Sequence, residues 1–436
     1  MRDTEVAAAT AGTGMSPRRS VPGPLNGITV VDLSWHLAGP YCTLMLADLG
    51  ARVIKVEAPG SNAGYDPGGL VRHYYKGQDA HYMALNRNKE SITLDLKNPE
   101  GVKVFTDLIR TADVCFNNFR PGVMKRLGID YEALRAVNPN LVYAALSAFG
   151  QDGPYADRPG VDLIAQAIAG GMSMTGERGR GPARMGLPVA DLAGGMFMSI
   201  AILSALRARD AGLQPSTEID VSLLDGQIAM VPYFAAYHFL DGVVPGPQGS
   251  GGHSPSSAAF KCKDEKYIVI AVYDQAKWRR LADDVLGHPE WVADERFQDP
   301  RSRVQHQDEL GAMIGAVIAQ RTSDEWLPVL QAADLLSARV NNLAEALADP
   351  QVLHRDMVIE LEHQLGDPLK FVGNPIKMSG FPTEYTSPPI IGGDTDAVLA
   401  ELLNLDADDL ERLRAEGVTS VPGKPAEPAQ EVGDDV

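Results

Sequence analysis

Residues 28–57 read ITVVDLSWHLAGPYCTLMLADLGARVIKVE, and their pattern decides the fold. Residues 28–33 are a short β-branched run, as in a buried strand. A loop over 34–40 follows, then a helix over 41–49, with Pro40 tolerated in its first turn and Gly50 ending it. Residues 52–57 form a second strand. Strand, helix and strand within about 30 residues make a βαβ unit, and a crossover helix implies parallel pairing.

Working outward, the period repeats. Strands are expected over 91–96, 113–117, 141–147 and 217–222, with helices over 99–111 and 131–137. Residues 25–230 therefore read as a doubly wound α/β domain. Ligands of such sheets sit at the carboxyl ends of the strands, so loops 34–40, 57–77, 117–126 and 147–160 are candidates. Loop 34–40 has no G-x-G-x-x-G, so the fingerprint of a nicotinamide or flavin dinucleotide site is missing. Loop 117–126 sets Arg120, Lys125 and Arg126 beside Phe119. It reads either as a seat for phosphate and adenine or as a solvated helix start with a packed Phe119.

A second informative stretch runs from Arg158 to Met196. A small-residue helix over 161–171 leads into a Gly/Arg loop over 175–186, and a long apolar run follows Asp191. An acid in the first turn of a helix is favoured by the dipole, so Asp191 reads as a cap. Gly194 and Gly195 also clear space in which a ligand backbone could approach, which weakens the cap-only reading. Asp162 reads as an N-cap. Arg178, Arg180 and Arg184 are either solvated loop charges or a seat for a second carboxylate. Eight of the thirteen residues in 245–257 are Gly or Ser, which makes that segment a linker or a lid. Beyond it come a strand over 267–272, a helix over 275–286, more helices to about 335, a strand over 338–341 and a helix over 345–355. Residues 367–384 look extended, and short helices close the chain at 397–403 and 407–416.

With 436 residues, two domains are expected. The net charge of −18 (39 basic against 57 acidic residues) argues against a general binder of nucleic acid or anionic membranes. Cys42, Cys115 and Cys262 are too scattered for a disulfide framework or a zinc site, and the nine histidines show no metal-ligand spacing. The first 24 residues lack the apolar core of a signal peptide, and no run approaches the roughly 20 apolar residues of a membrane helix. A cytoplasmic protein is expected.

Several motifs share an order and spacing: Leu25-Asn-Gly-Ile-Thr-Val-Val-Asp-Leu33, Ala38-Gly-Pro40, the run from Ala47 to Glu57, Asn86-Arg-Asn-Lys-Glu-Ser-Ile92, Leu94-Asp-Leu-Lys97, Asn118-Phe-Arg-Pro-Gly122, Ala190-Asp-Leu-Ala-Gly194 and Gly226. Together they resemble the class III coenzyme A transferases, from about residue 25 to 416. The resemblance implies a large Rossmann-like domain built from both ends of the chain, a smaller α/β domain, and an interlocked homodimer. The corresponding divisions are a disordered leader (1–24), the large domain (25–230), a linker, Gly-rich loop and small domain (231–344), a return to the large domain (345–416) and a disordered acidic tail (417–436).

The same resemblance puts the catalytic aspartate at Asp191, acting through an aspartyl anhydride and an aspartyl-CoA thioester, and this chemistry requires an ionised Asp191. It puts CoA contacts at Ala38, Leu94, Lys97, Asn118, Phe119, Arg126, Leu127 and Phe149, and a covering loop at Gly249, Gly251 and Gly252. The implied substrates are an acyl-CoA (by analogy succinyl-CoA) and a small di- or hydroxycarboxylate, with no metal and no cofactor besides the CoA thioester. Leu37 stands where formyl-CoA transferases carry glutamine, Ala58 where many relatives carry arginine, and Ser147 where they carry lysine. The related α-methylacyl-CoA racemases use a histidine that would fall on Val161, which cannot carry a proton. A racemase and a non-catalytic CoA-binding homologue are the alternatives.

Overall fold

The computed structural model describes residues 21–61, 73–251 and 256–422. Most of the expected leader, part of loop 57–77, Gly252 and the tail from 423 lie outside the described residues. The chain forms two compact units. The larger comprises residues up to 169, 187–232 and 356 onward; the smaller comprises 170–186 and 233–355.

The larger unit is built on a six-stranded parallel sheet. Its strands are β1 (Thr29–Asp32), β2 (Arg52–Glu57), β3 (Lys89–Thr93), β4 (Val114–Asn117), β5 (Val142–Ser147) and β6 (Thr217–Ser222). They lie in the order β3-β2-β1-β4-β5-β6 with every pairing parallel. The order reverses between β1 and β4, which is the topological switch point where such sheets open a crevice.

Helices cover both faces. On one lie α1 (Ala38–Asp48), α4 (Asp162–Ile168), α5 (Val189–Asp210) and α6 (Leu223–Ala229), burying Cys42, Leu46, Met198 and Ile202 against the sheet. On the other lie α2 (Pro99–Ile109) and α3 (Tyr131–Val137), joined by Thr395–Leu403 and Ala407–Ala415 from the far end of the chain. Local chemistry sets the starts: the Asn98 side chain accepts from Glu100 N ahead of Pro99, and Asp130 caps Ala133 N. Contrary to the reading that no run nears membrane length, α5 has 22 residues and is apolar enough to cross a bilayer, but half of that window is buried.

The returning segment protects an edge. β3 ends the sheet, and its outward amides would be open to pairing. Instead Ser91 N donates to the Asp394 carboxylate (2.9 Å) and Thr93 N to Thr395 Oγ1 (3.1 Å). Arg52 ties the same edge to Glu90 at 2.6 Å and Glu401 at 2.9 Å.

In the smaller unit an antiparallel sheet of Ala258–Lys261, Tyr267–Ala271 and Leu336–Arg339 packs on helices around buried Trp278 and Trp326. Two boundaries differ from the sequence reading. Residues 170–186 belong with this unit because Gly249 N donates to Gly176 O (2.9 Å) and Arg178 pairs with Asp308 (3.0 Å). Residues 345–355 also stay with it, with Lys266 reaching Glu345 at 3.3 Å. The single helix expected over 345–355 is two short ones, each started by its own cap, Asn342 or Asp349. A hairpin of Val358–His363 and Gly366–Val372 replaces the start of the extended stretch.

Asp394→Ala leaves the Ser91 amide of the edge strand without its acceptor. It is expected to cost about 1–3 kcal/mol of stability, read as a lower midpoint in chemical denaturation.

Candidate active site

The loop after β1 lies at the switch point and is held at three places. Asn118, just past β4, accepts from Trp35 N (2.9 Å) and donates back to Trp35 O (2.8 Å). Lys55 donates to Ser34 O at the start of the loop. Lys89 donates to Pro40 O (3.0 Å), Thr43 Oγ1 (2.7 Å) and Asn86 Oδ1 (2.9 Å) at its end. Thr43 in turn donates to Asp32 (2.6 Å), which lies 3.4 Å from the Lys89 ammonium.

Both charges are wholly buried. Burial pushes the Asp32 carboxyl up, but Lys55, Lys89 and the Ser34 and Thr43 hydrogen bonds outweigh it and hold the group below its ordinary range. Burial lowers Lys89 to about 8 against the pull of Asp32. Within the loop His36 has a left-handed backbone (φ 62°) and stacks on Trp35 at 4.0 Å. Burial, together with His81, drops its imidazole to about 4, so it is neutral at physiological pH.

Asp191 occupies the third position of α5 and is half-buried. The glycines after it serve helix packing rather than ligand approach. A Cβ on Gly195 would lie 2.6 Å from Ala38 O, and one on Gly194 would lie 2.8 Å from Leu223. Residues four apart share a helix face, so Asp191 lies on the face of α5 that meets the first turn of α1, next to the switch-point loop.

Asp191 is not the cap of its helix. That role belongs to buried Asp162, whose Oδ1 accepts from Ala190 N (2.9 Å) while Oδ2 accepts from Gln166 Nε2 (2.7 Å). Asp162 was expected to cap its own helix, but there the N-cap position is Val161, which has no capping side chain. The expectation of a readily ionised Asp191 also needs correction. Burial, then the charge of Asp162, raises its carboxyl to about 7, and Asp162 holds a first-turn amide of the helix end.

The other sequence candidates separate by strand end. Ala38 (after β1), Leu94 and Lys97 (after β3), Asn118, Phe119, Arg126 and Leu127 (after β4) and Phe149 (after β5) all follow the carboxyl ends of parallel strands. Phe119 and Leu127 rest against the core of the unit, while Lys97 and Arg126 are exposed. Phe149 meets Tyr155 edge-on at 5.8 Å, with the Arg158 guanidinium over both rings. Ser147 is buried and accepts from Gly150 N (2.9 Å); Ala58 is exposed.

Arg178 is committed within the smaller unit to Asp308, Gln307 (2.8 Å) and Gln248 (3.0 Å), and Arg184 turns to Met185 O (3.1 Å). Gly249 and Gly251 are in that unit too. Gly249 has φ 62°, and a Cβ there would meet Glu177 at 2.6 Å.

Two features escaped sequence reasoning. One is the Lys89–Asp32 cluster, signalled only by a lysine at the head of a wholly buried strand, two residues before the strand the sequence indicated. The other is a cavity of about 670 Å³ walled by Leu37, Tyr41, Leu44, Met83, Leu192 and the hairpin residue Phe371.

Comparison with known proteins identifies the family: residues 25–395 match CoA-transferase family III, and the chain belongs to it as a class III CoA transferase. An acyl-CoA transferase of Fusarium pseudograminearum is 37% identical over 92% of this chain and 89% of its own length. A succinate–glutarate CoA-transferase of Agrobacterium fabrum is 36% identical over 88% of this chain and 96% of its own. A crystal structure of a CaiB/BaiF family protein from Brucella suis superposes with a TM-score of 0.78 at 33% identity, covering 87% of this chain and 99% of that one.

Gly195→Ala is expected to force α5 away from the Ala38 carbonyl and to cost about 1–3 kcal/mol, measured by denaturant unfolding.

Proposed function

We propose that this enzyme moves coenzyme A from succinyl-CoA to a small di- or hydroxycarboxylate through covalent chemistry on Asp191. The observation that carries the reading is the position of that carboxylate. It is half-buried at a helix start, receives no hydrogen bond from any described residue, and lies on the helix face that meets the switch-point loop.

In the first step an Asp191 oxygen attacks the thioester carbonyl carbon. The C–S bond breaks and its electron pair leaves on sulfur, giving a mixed anhydride and CoA thiolate. The thiolate then attacks the aspartyl carbonyl, releasing the donor acid as a carboxylate and leaving an aspartyl-CoA thioester. The acceptor carboxylate attacks that thioester, and the thiolate released closes the cycle on the new anhydride. Splitting one exchange in this way lowers each barrier, and the sequence of steps consumes no metal or redox cofactor. Ala38, Leu94, Lys97, Asn118, Phe119, Arg126, Leu127 and Phe149 are the proposed CoA contacts, with Lys97 and Arg126 meeting phosphates. Gly249, Gly251 and Gly252 are the proposed cover that keeps water from the anhydride.

The glutarate and succinate names among relatives support the acid pair. The racemase reading is disfavoured by Val161, which offers no second base. A homodimer is part of the proposal. Leu163, Ile164 and Ile168 of α4, Phe197 and Ile200 of α5 and Ile228 of α6 are exposed apolar side chains, the kind of surface a second copy covers. A cytoplasmic setting suits three free, buried cysteines.

Intact-protein mass spectrometry after incubation with succinyl-CoA is expected to show a covalent adduct on the wild type and none on Asp191→Ala. No adduct on the wild type with several acyl-CoA donors would refute the covalent reading. Because the attacking species is the carboxylate and its group is raised to about 7, kcat/KM should climb with pH up to about 7 and level off above it.

A further inference from the structure

Asp162 and Asp191 bring two carboxylates to one helix end, and the first holds the site that would best stabilise the second. Asp162 reaches across from α4 to accept from Ala190 N at 2.9 Å, and Gln166 fixes its other oxygen at 2.7 Å. The partial positive charge of a helix start amounts to about half an elementary charge and fades within the first turn. Asp191, one residue further along, is left half-buried without a donor.

Resting on the covalent reading above, we propose that Asp162 is a positioning residue whose charge favours loading of Asp191. By filling the capping site of α5 with a fixed anion, it makes the free Asp191 carboxylate the costly state and the covalently occupied one the relaxed state.

The charge balance of the reaction gives this consequence. When the Asp191 oxygen bonds to the thioester carbon and the C–S electron pair departs on sulfur, the negative charge moves from the aspartate to the CoA thiolate. The anhydride is neutral, and so is the aspartyl-CoA thioester that replaces it when the donor acid leaves as a carboxylate. Only the unloaded enzyme holds two like charges at the start of α5.

The raised carboxyl of Asp191 agrees, with burial first and Asp162 second among its causes. The acidic groups on the elements packed against α5 are Asp48 of α1, Asp162 of α4, Glu218 and Asp220 of β6 and Asp225 of α6. Of these only Asp162 bears on Asp191. Its carboxylate also fixes the Ala190 amide, so charge and orientation come from one group.

Two variants separate the charge from the cap. Asp162→Asn keeps an oxygen for the Ala190 amide but removes the charge. The acid limb of its kcat/KM profile is expected to fall by about one pH unit, and its steady-state aspartyl-CoA adduct at pH 7 by about fivefold relative to the wild type, half of whose carboxyl is protonated at that pH. Asp162→Glu keeps the charge but disturbs the cap, so its limb should stay at the wild-type position whatever happens to kcat. If Asp162→Asn fails to fold, Asp162→Glu carries the test, and a limb displaced downward there overturns the proposal. A folded Asp162→Asn with wild-type limb and adduct level also overturns it, while leaving the covalent reading intact. A wild type that forms no adduct on Asp191 fails that underlying reading instead.

Discussion

A lysine ammonium with no exposed surface lies beneath the carboxyl edge of the central sheet, and the geometry of the site follows from how its charge is met. Moving such a group out of water costs several kcal/mol unless a counter-ion and further hydrogen bonds replace the solvent. Lys89 obtains the counter-ion from β1 (Asp32), one hydroxyl from α1 (Thr43), one amide oxygen from Asn86 and one carbonyl from Pro40. Those partners come from three separate segments, so none can shift without stranding a buried charge. The lysine thereby fixes β1 against β3 and sets where α1 begins. Since the Ala38 carbonyl in the first turn of α1 is the atom that Gly195 must clear, the same cluster sets how closely α5 approaches.

That close approach explains why the helix carrying Asp191 combines small residues at its start with large apolar ones further on. Ala190, Ala193, Gly194 and Gly195 are buried where α1 and α6 crowd in, and Met198 and Ile202 fill the wider space below. The apolar side chains left outside, such as Phe197 and Ile200, are on the opposite side of the same turns. One helix therefore serves two surfaces. Its inner stripe joins the sheet core, and its outer stripe leaves large apolar side chains exposed.

Much of this was legible in the residues. The β-branched runs at 52–57 and 217–222 and the helix at 131–137 appear with the bounds that periodicity indicated, because each is short, strongly patterned and flanked by turn or cap residues. The hairpin at 358–372 was not, although Ile-Glu-Leu-Glu alternates as a strand does, because the run is short and its partner contains proline. Within the site, the strand ends carrying Ala38 and Asn118 could be read from the βα period, whereas the Asn118 clamp on Trp35 joins residues 83 positions apart and leaves no local trace. The division of the chain into units was blurred for the same reason: what holds 170–186 to the smaller unit is a hydrogen bond from Gly249 and the partners of Arg178, all distant in sequence.

Asp162 shows how a correct residue can be given the wrong partner by local reasoning. An aspartate at the start of an apolar helix is the ordinary signature of a cap, and it does cap a helix. The amide it accepts from belongs to Ala190, 28 positions later, because α4 and α5 start side by side. Read locally, each helix had its own acid and each acid looked stabilised. In the fold the two starts share one favourable site, and the residue that takes it is Asp162, not Asp191. The dipole that should ease ionisation of Asp191 is thus largely used by its neighbour, and burial with like-charge repulsion decides the outcome. Asp191 is left as a half-buried carboxylate that caps nothing and whose anionic form is disfavoured, beside a loop held by two buried lysines.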